Sequence, residues 1–262
     1  MQNLFKTFNK SVRKFRKSQS FYTVTPSSIS MESYEFIENY IYAKIFKQRT
    51  DPNKKRQGFY DKVYGKILNR GGQEILKKFS LKTSDTLFDL GSGIGLIILQ
   101  AATTTDVGKV VGIELVKEVY DISINLKNMF IHVMKFGNFK FQKNFEIIND
   151  DFLVNSNVVK ICSKGSAIFI NDKIFQPPTL NQIRDVLFYN LRNGVKKITV
   201  QNYKGRYSSR ISRINNVVAI LSKNKILDIG RTLSYGYNVG ILHYYEIYHT
   251  KLNGNIILTT LD

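Results

Sequence analysis

The sequence predicts an α/β fold built on a doubly wound, mostly parallel sheet, and three observations carry that reading. The first is a short apolar run, Thr86–Leu90, that ends in three alternating glycines, Gly91, Gly93 and Gly95. Glycine lets the backbone turn sharply and leaves no Cβ between it and a ligand, so the stretch reads as buried strand, turn and helix. The second is that further apolar runs downstream alternate with stretches of helical periodicity, as a parallel sheet with crossover helices requires. The third is Glu114, an acid that closes the next apolar run, Val110–Ile113.

At 262 residues the chain has room for one large α/β domain with a small appendage. A single cysteine, Cys162, is no basis for a disulfide scaffold. The histidines His132, His243 and His249 show no ligand spacing, so no metal is expected. No apolar run approaches the ~18 residues that span a bilayer, so no membrane partner is expected. The charge balance is the strongest bulk signal. Lys and Arg number 39 against 20 Asp and Glu, a formal +19, which favours a polyanionic partner such as DNA or RNA.

In chain order, residues 1–30 read as a basic arm and linker. Lys6, Lys10, Arg13, Lys14, Arg16 and Lys17 stand there among apolar residues at near-helical spacing, with no acid in the first twenty positions. Such an arm docks on nucleic acid; a mitochondrial presequence has the same composition and is the alternative. Residues 31–80 read as a helical extension with a cofactor-covering loop. Ser30 is placed to cap a helix over about 31–47 with Tyr34, Ile37, Ile41 and Ile45 on one face, and a second helix is expected over about 72–79.

Residues 81–262 form the expected core. After Glu114 a helix is expected over 117–134, then a strand over 145–148 and a fourth strand over 167–170. A helix over about 179–190 and a strand over 197–201 continue the alternation. Runs at 225–233, 241–251 and 256–260 read as strands, the last two joined by Asn253-Gly254-Asn255 as an antiparallel pair. Between Val186 and Leu227 there is no acid, and Lys204, Arg206, Arg210 and Arg213 make a second basic segment suited to DNA.

The glycine turn has the spacing Gly-x-Gly-x-Gly with Asp89 in front, not the Gly-x-Gly-x-x-Gly of a pyrophosphate site. Glu114 is placed to accept hydrogen bonds from ribose hydroxyls. Asp151-Phe152 lies just past a strand end, where the carboxylate suits an adenine amino group and the ring suits stacking. This combination resembles a class I S-adenosylmethionine (SAM) methyltransferase.

A narrower resemblance covers roughly residues 59–250. Val63-Tyr64-Gly65, Asp89-Leu90-Gly91-Ser92-Gly93-Ile94-Gly95, Gly112-Ile113-Glu114, Asp151-Phe152-Leu153, Ile168-Phe169-Ile170-Asn171 with Phe175 beyond, and Tyr244-Tyr245 occur in that order. In this the chain is similar to the disruptor-of-telomeric-silencing histone-lysine methyltransferases, which lack a SET domain. The resemblance implies a seven-stranded, Rossmann-like sheet and SAM held by Tyr64, Asp89, Gly91, Gly93, Gly95, Glu114, Asp151 and Phe152. It also implies a narrow lysine channel walled by Asn171, Phe175 and Tyr244. The implied substrate is a core-histone lysine in the nucleosome, and the implied place of action is the nucleus. The sequence departs from the family at Lys66, Leu96 and Asp172-Lys173, and it has no tryptophan upstream of the tyrosine pair. A SAM-dependent RNA or DNA methyltransferase is the alternative enzyme, and a nucleic-acid-binding module with a relic cofactor site is the alternative without catalysis.

Overall fold

A computed structural model of the chain describes residues 25–48, 67–203, 222–229 and 240–247. Helix α1 (Met31–Gln48) opens it, and the Ser30 hydroxyl accepts the Ser33 N–H at 3.2 Å at its N-terminus, the cap expected there. Tyr34, Ile37 and Ile41 are buried, and the Tyr34 hydroxyl donates to the Leu96 carbonyl at 3.3 Å. Helix α2 (Asn69–Phe79) follows, buries Ile75, Leu76 and Phe79, and ends on Ser80 in the left-handed region at φ 50°.

The core alternates β1 (Thr86–Leu90), α3 (Leu96–Thr104), β2 (Lys109–Glu114), α4 (Lys117–Phe136), β3 (Phe145–Asn149), α5 (Ser156–Ser163) and β4 (Ala167–Ile170). It continues through α6 (Pro177–Gln182), β5 (Lys196–Thr199), β6 (Ser222–Asp228) and β7 (Ile241–Ile247). The seven strands form one sheet in the order β3-β2-β1-β4-β5-β7-β6. β1 to β5 run parallel, while β7 runs antiparallel to both β5 and β6. Among the described residues this is the doubly wound, mostly parallel sheet that the sequence predicts, with the seven strands that the resemblance implies.

Side-chain alternation divides the interior into two cores, one on each face of the sheet. On β1, Leu87 joins the core beneath α1 to α4, whereas Phe88 and Leu90 join the core beneath α5 and α6. Val110 and Val111 divide the same way on β2. Each large apolar side chain fully buried in this manner contributes about 1.5–3 kcal/mol. The second core also takes in Lys197. Its Nζ lies 3.2 Å from the Phe188 ring centroid and 4.6 Å from that of Tyr245, and burial holds its amine well below the ordinary lysine range.

The structure departs from the sequence reading at two helices. The helix expected over 179–190 is a short α6 begun by Pro177 and Pro178, followed by a π turn (Ile183–Leu187) and a 3-10 turn (Phe188–Asn190). Helix α5 has no counterpart in the sequence reading. It is only eight residues long and is started by Asn155, whose side chain accepts the Asn157 N–H at 3.0 Å. β7 pairs with β6, in register Lys225↔Tyr244, and with β5, while the hairpin expected about 253–255 lies outside the described residues.

Candidate active site

β1 lies between β2 and β4, so the chain crosses to opposite sides of it and a crevice opens beyond the carboxyl ends of these strands. The glycine turn forms the floor of that crevice. Gly91, Gly93 and Gly95 have φ of 75°, 56° and 85°, a region that other residues enter at a cost of about 1–2 kcal/mol. The N–H groups of Gly91 and Ser92 both donate to the Ile113 carbonyl, at 2.8 and 3.0 Å, which ties the turn to the end of β2.

Glu114 completes that tie. Its Oε2 accepts the Gly93 N–H at 2.8 Å and its Oε1 accepts the Val116 N–H at 2.9 Å. Burial raises its pKa, and the amide donors of Val116, Gly93 and Leu115 oppose the rise. Asp89, opposite Gly112 and Phe169 in the sheet, is buried beneath the turn. Burial, and then the Glu114 charge, push its carboxyl up to about 8. Two acids under one glycine turn leave a site in which a cation would be favoured.

A cavity of about 310 Å³ opens over this floor, lined by Gly91, Glu114, Asp151, Phe152, Asn171, Lys173, Ile174 and Phe175 among others. The Asp151 Oδ1 accepts the Leu153 N–H at 2.8 Å, which fixes the loop after β3. Asn149, to which the sequence reading gave no role, donates to the carbonyls of Glu114 and Leu115 at 2.8 and 3.1 Å and so holds the β2 and β3 loops together. A second cavity, about 660 Å³, is larger, but it is lined by Ser28, Thr83, Thr103 and Lys140, away from the glycine turn. Thr103, Thr104 and Thr105 spend their hydroxyl protons on carbonyls of α3, so that cavity offers few directed donors.

Asn171, at the end of β4, forms the far wall of the smaller cavity, and Asp172 anchors it. Asp172 is fully buried, and its Oδ1 accepts the N–H groups of Val200 and Gln201 at 2.9 and 2.8 Å. Burial raises its pKa to about 6 against the Tyr203 hydroxyl and those amides. The departure at Asp172 is therefore a brace between β4 and β5. The Gln201 Nε2 donates to the Lys173 carbonyl at 3.0 Å, and the Phe175 N–H donates to the Asp172 carbonyl at 3.1 Å. Phe175 is thereby turned back over the glycines.

The structure brings together Gly91, Glu114, Asp151, Phe152, Asn171 and Phe175 at one cavity, with Asp89, Gly93 and Gly95 in the floor beneath. Gly95 has a packing role as well, since a Cβ there would stand 2.9 Å from Ile147 Cδ1. Tyr244 is not among the cavity's lining residues. It pairs with Ile198 on β5 and packs against the first core, while Tyr245 points into the second. Successive strand residues face opposite sides, so the tyrosine pair is divided between the two cores. The Tyr245 hydroxyl accepts the Tyr203 N–H at 2.8 Å. Tyr64, the six arm cations, and Lys204, Arg206, Arg210 and Arg213 lie outside the described residues.

Residues 42–245 match the family model described as histone methylation protein DOT1. The chain belongs to that family. It is 24% identical over 201 residues to a protein of Emericella nidulans named histone-lysine N-methyltransferase, H3 lysine-79 specific, and 29% identical over 206 residues to one of the same name in Caenorhabditis elegans. Each alignment takes in 76% of this chain, but it spans only 39% and 22% of those relatives. A solved RNA methyltransferase of Salinibacter ruber aligns at 17% identity with a TM-score of 0.46, over 70% of this chain and 94% of its own. Among the described residues of this DOT1-family chain, no three His, Cys, Asp or Glu side chains are grouped to hold a metal ion, and no helix is long and apolar enough to cross a membrane.

Proposed function

We propose that the chain is a SAM-dependent protein-lysine N-methyltransferase that acts on a core-histone lysine in the nucleosome. One observation carries the reading. A single cavity has Glu114, Asp151 and Phe152 on one side and Asn171 with Phe175 on the other, above a glycine turn. The fit to SAM rests on the floor as well, because a Cβ on Gly93 would meet nothing within 4 Å among the described residues, and backbone there is open to a ligand.

In this reading Glu114 receives the ribose hydroxyls with the lone pairs left by its two amide bonds, and Asp151 and Phe152 receive the adenine. Asp89, with Gly91 and Gly93, holds the cationic part, and Tyr64 covers the site. When bound, SAM supplies an electrophilic methyl group on a sulfonium. The protein's task is then alignment, because a neutral amine must be held in line with that carbon. Asn171 orients the lysine amine, and the Phe175 ring excludes water. An apolar wall disfavours the lysine ammonium and lowers its pKa, which frees the lone pair. No histidine or cysteine is needed; Cys162 is buried and its thiol is pushed up to about 12.

The arm at 6–17 and the segment 204–213 serve as DNA contacts in this reading, and the nucleus is the place of action. The deciding experiment is methyl transfer from labelled SAM to nucleosomes, free histones and RNA side by side. Label on nucleosomal histone supports the proposal. Label on RNA alone would transfer the site to a nucleic-acid methyltransferase, and tight DNA binding without SAM affinity would leave a binding module.

A further inference from the structure

The amino ends of the parallel strands, at the edge of the sheet opposite the crevice, carry a run of cations. Lys82 stands in the loop before β1, Lys164 before β4, and Arg192 and Lys196 before and at the start of β5. Hydrogen bonds knit these starts into one surface. The Ser166 N–H donates to the Thr86 carbonyl, and the Lys196 N–H donates to the Ser166 carbonyl, both at 3.0 Å. The Arg192 guanidinium donates to the Gly165 carbonyl at 3.2 Å and to the Ser166 hydroxyl at 3.3 Å. The Lys196 Nζ donates to the Phe79 carbonyl at 2.8 Å, which brings the end of α2, with Lys77 and Lys78, onto the same surface.

The acids nearby do not balance this charge. Glu74 is spent on Lys77 at 2.9 Å, Glu146 on Lys109 at 2.6 Å, Asp106 lies 4.0 Å from Lys140, and Asp85 accepts the backbone N–H of Lys82 at 2.8 Å. Glu246 stands opposite Lys196 in the sheet. Lys78, Lys82 and Lys164 are exposed and make no side-chain ion pair or hydrogen bond among the described residues. Thr83 and Ser84 are exposed beside Lys82.

We infer that this strand-start edge docks the phosphodiester backbone of a nucleic-acid duplex. Lysine, arginine and hydroxyl side chains spread over a surface are the groups that bind phosphates without reading bases. A focused acid-binding pocket would instead gather the cations at one point. The position adds a consequence. β1 is five residues long, so about 16 Å of sheet plus its loops separates this edge from the crevice. A duplex held here is a different stretch from any that lies beside a substrate in the crevice. The edge thus tethers the protein to a second segment of nucleic acid while the crevice remains open.

The test measures binding of the full chain to a labelled DNA duplex across a salt series, for the parent and for Lys78→Gln/Lys82→Gln/Lys164→Gln. It reads binding alone, so its outcome is independent of the catalytic reading. Removal of three phosphate contacts should reduce the slope of log affinity against log salt by about 2–3, with SAM affinity unchanged. The matching Lys→Arg triple variant should restore the slope. An unchanged slope, or a loss that arginine does not restore, would overturn the inference. So would weaker binding to nucleosomes with unaltered duplex binding, because the edge would then face an acidic protein surface. Duplex binding that blocks histone methylation in the parent would overturn the tether.

Discussion

The Glu114 Oε2 accepts the Gly93 N–H at 2.8 Å, so one carboxylate both shapes the glycine turn and faces the cavity. Glu114→Gln keeps the size of the side chain but removes the charge and one acceptor. SAM affinity should fall by about 1.5–3 kcal/mol, the range for a hydrogen bond to a charged group. Calorimetry of both proteins checks it, and equal affinities would remove Glu114 from the cofactor site.

Asp89 makes folding depend on pH in an unusual direction. Its carboxyl is held near 8 in the folded chain, against about 4 for an ordinary aspartate. Between those values the folded state binds the proton and the unfolded chain does not, so stability declines as pH rises from about 4 to 8. Asp89→Asn should flatten that decline and raise the melting temperature above pH 8, while it weakens SAM binding. A cationic cofactor favours the ionised carboxylate, so SAM should bind the parent more tightly as pH approaches 8 and release a proton below it. Calorimetry in buffers of different ionisation enthalpy reads that proton directly.

Gly91 and Gly93 should respond differently to a side chain. A Cβ on Gly91 would lie 3.3 Å from Phe175 Cζ and push against the cavity wall, whereas one on Gly93 meets open space. Gly93→Arg should therefore fold, at a strain cost of about 1–2 kcal/mol, and lose SAM binding because its long side chain occupies the ligand's space. A folded Gly93→Arg protein with undiminished SAM affinity would refute the floor assignment.

Asp172→Ala would leave the buried N–H of Val200 and the half-buried N–H of Gln201 without their acceptor. Each unsatisfied group costs about 1–3 kcal/mol, so the melting temperature should drop markedly. Because the brace holds the segment from Asn171 to Phe175, turnover should fall more than SAM affinity in whatever fraction remains folded. Thermal unfolding and single-turnover methylation separate the two effects.

Tyr244, which the resemblance places in the lysine channel, does not line the cavity. Its packing against the first core predicts that Tyr244→Ala lowers stability, whereas a role in the lysine channel predicts a loss of turnover at unchanged SAM affinity. Asn171→Ala should lower turnover without the stability loss. Melting temperature, SAM affinity and nucleosome methylation, measured for both variants, assign Tyr244 to one role.

The chain's local chemistry was legible from sequence wherever a short pattern has one physical solution. Thr86–Leu90 and Ala167–Ile170 are strands with the bounds that their apolar runs predict, because a short, continuously apolar run that ends in turn residues buries well as a parallel strand. The position of the glycines, Glu114, Asp151 and Asn171 at or just past strand ends was legible for the same reason, since each closes or closely follows such a run. Three matters were left to the tertiary structure. The brace from Asp172 to Val200 and Gln201 links residues 28 and 29 positions apart, and no local spacing encodes it. The division of Tyr244 and Tyr245 between two cores depends on how β7 pairs with β5, which a run of apolar residues does not specify. The cationic edge exists because parallel strands start side by side. Parallel pairing gathers Lys82, Lys164 and Lys196 from distant parts of the chain, and only the folded sheet makes them neighbours.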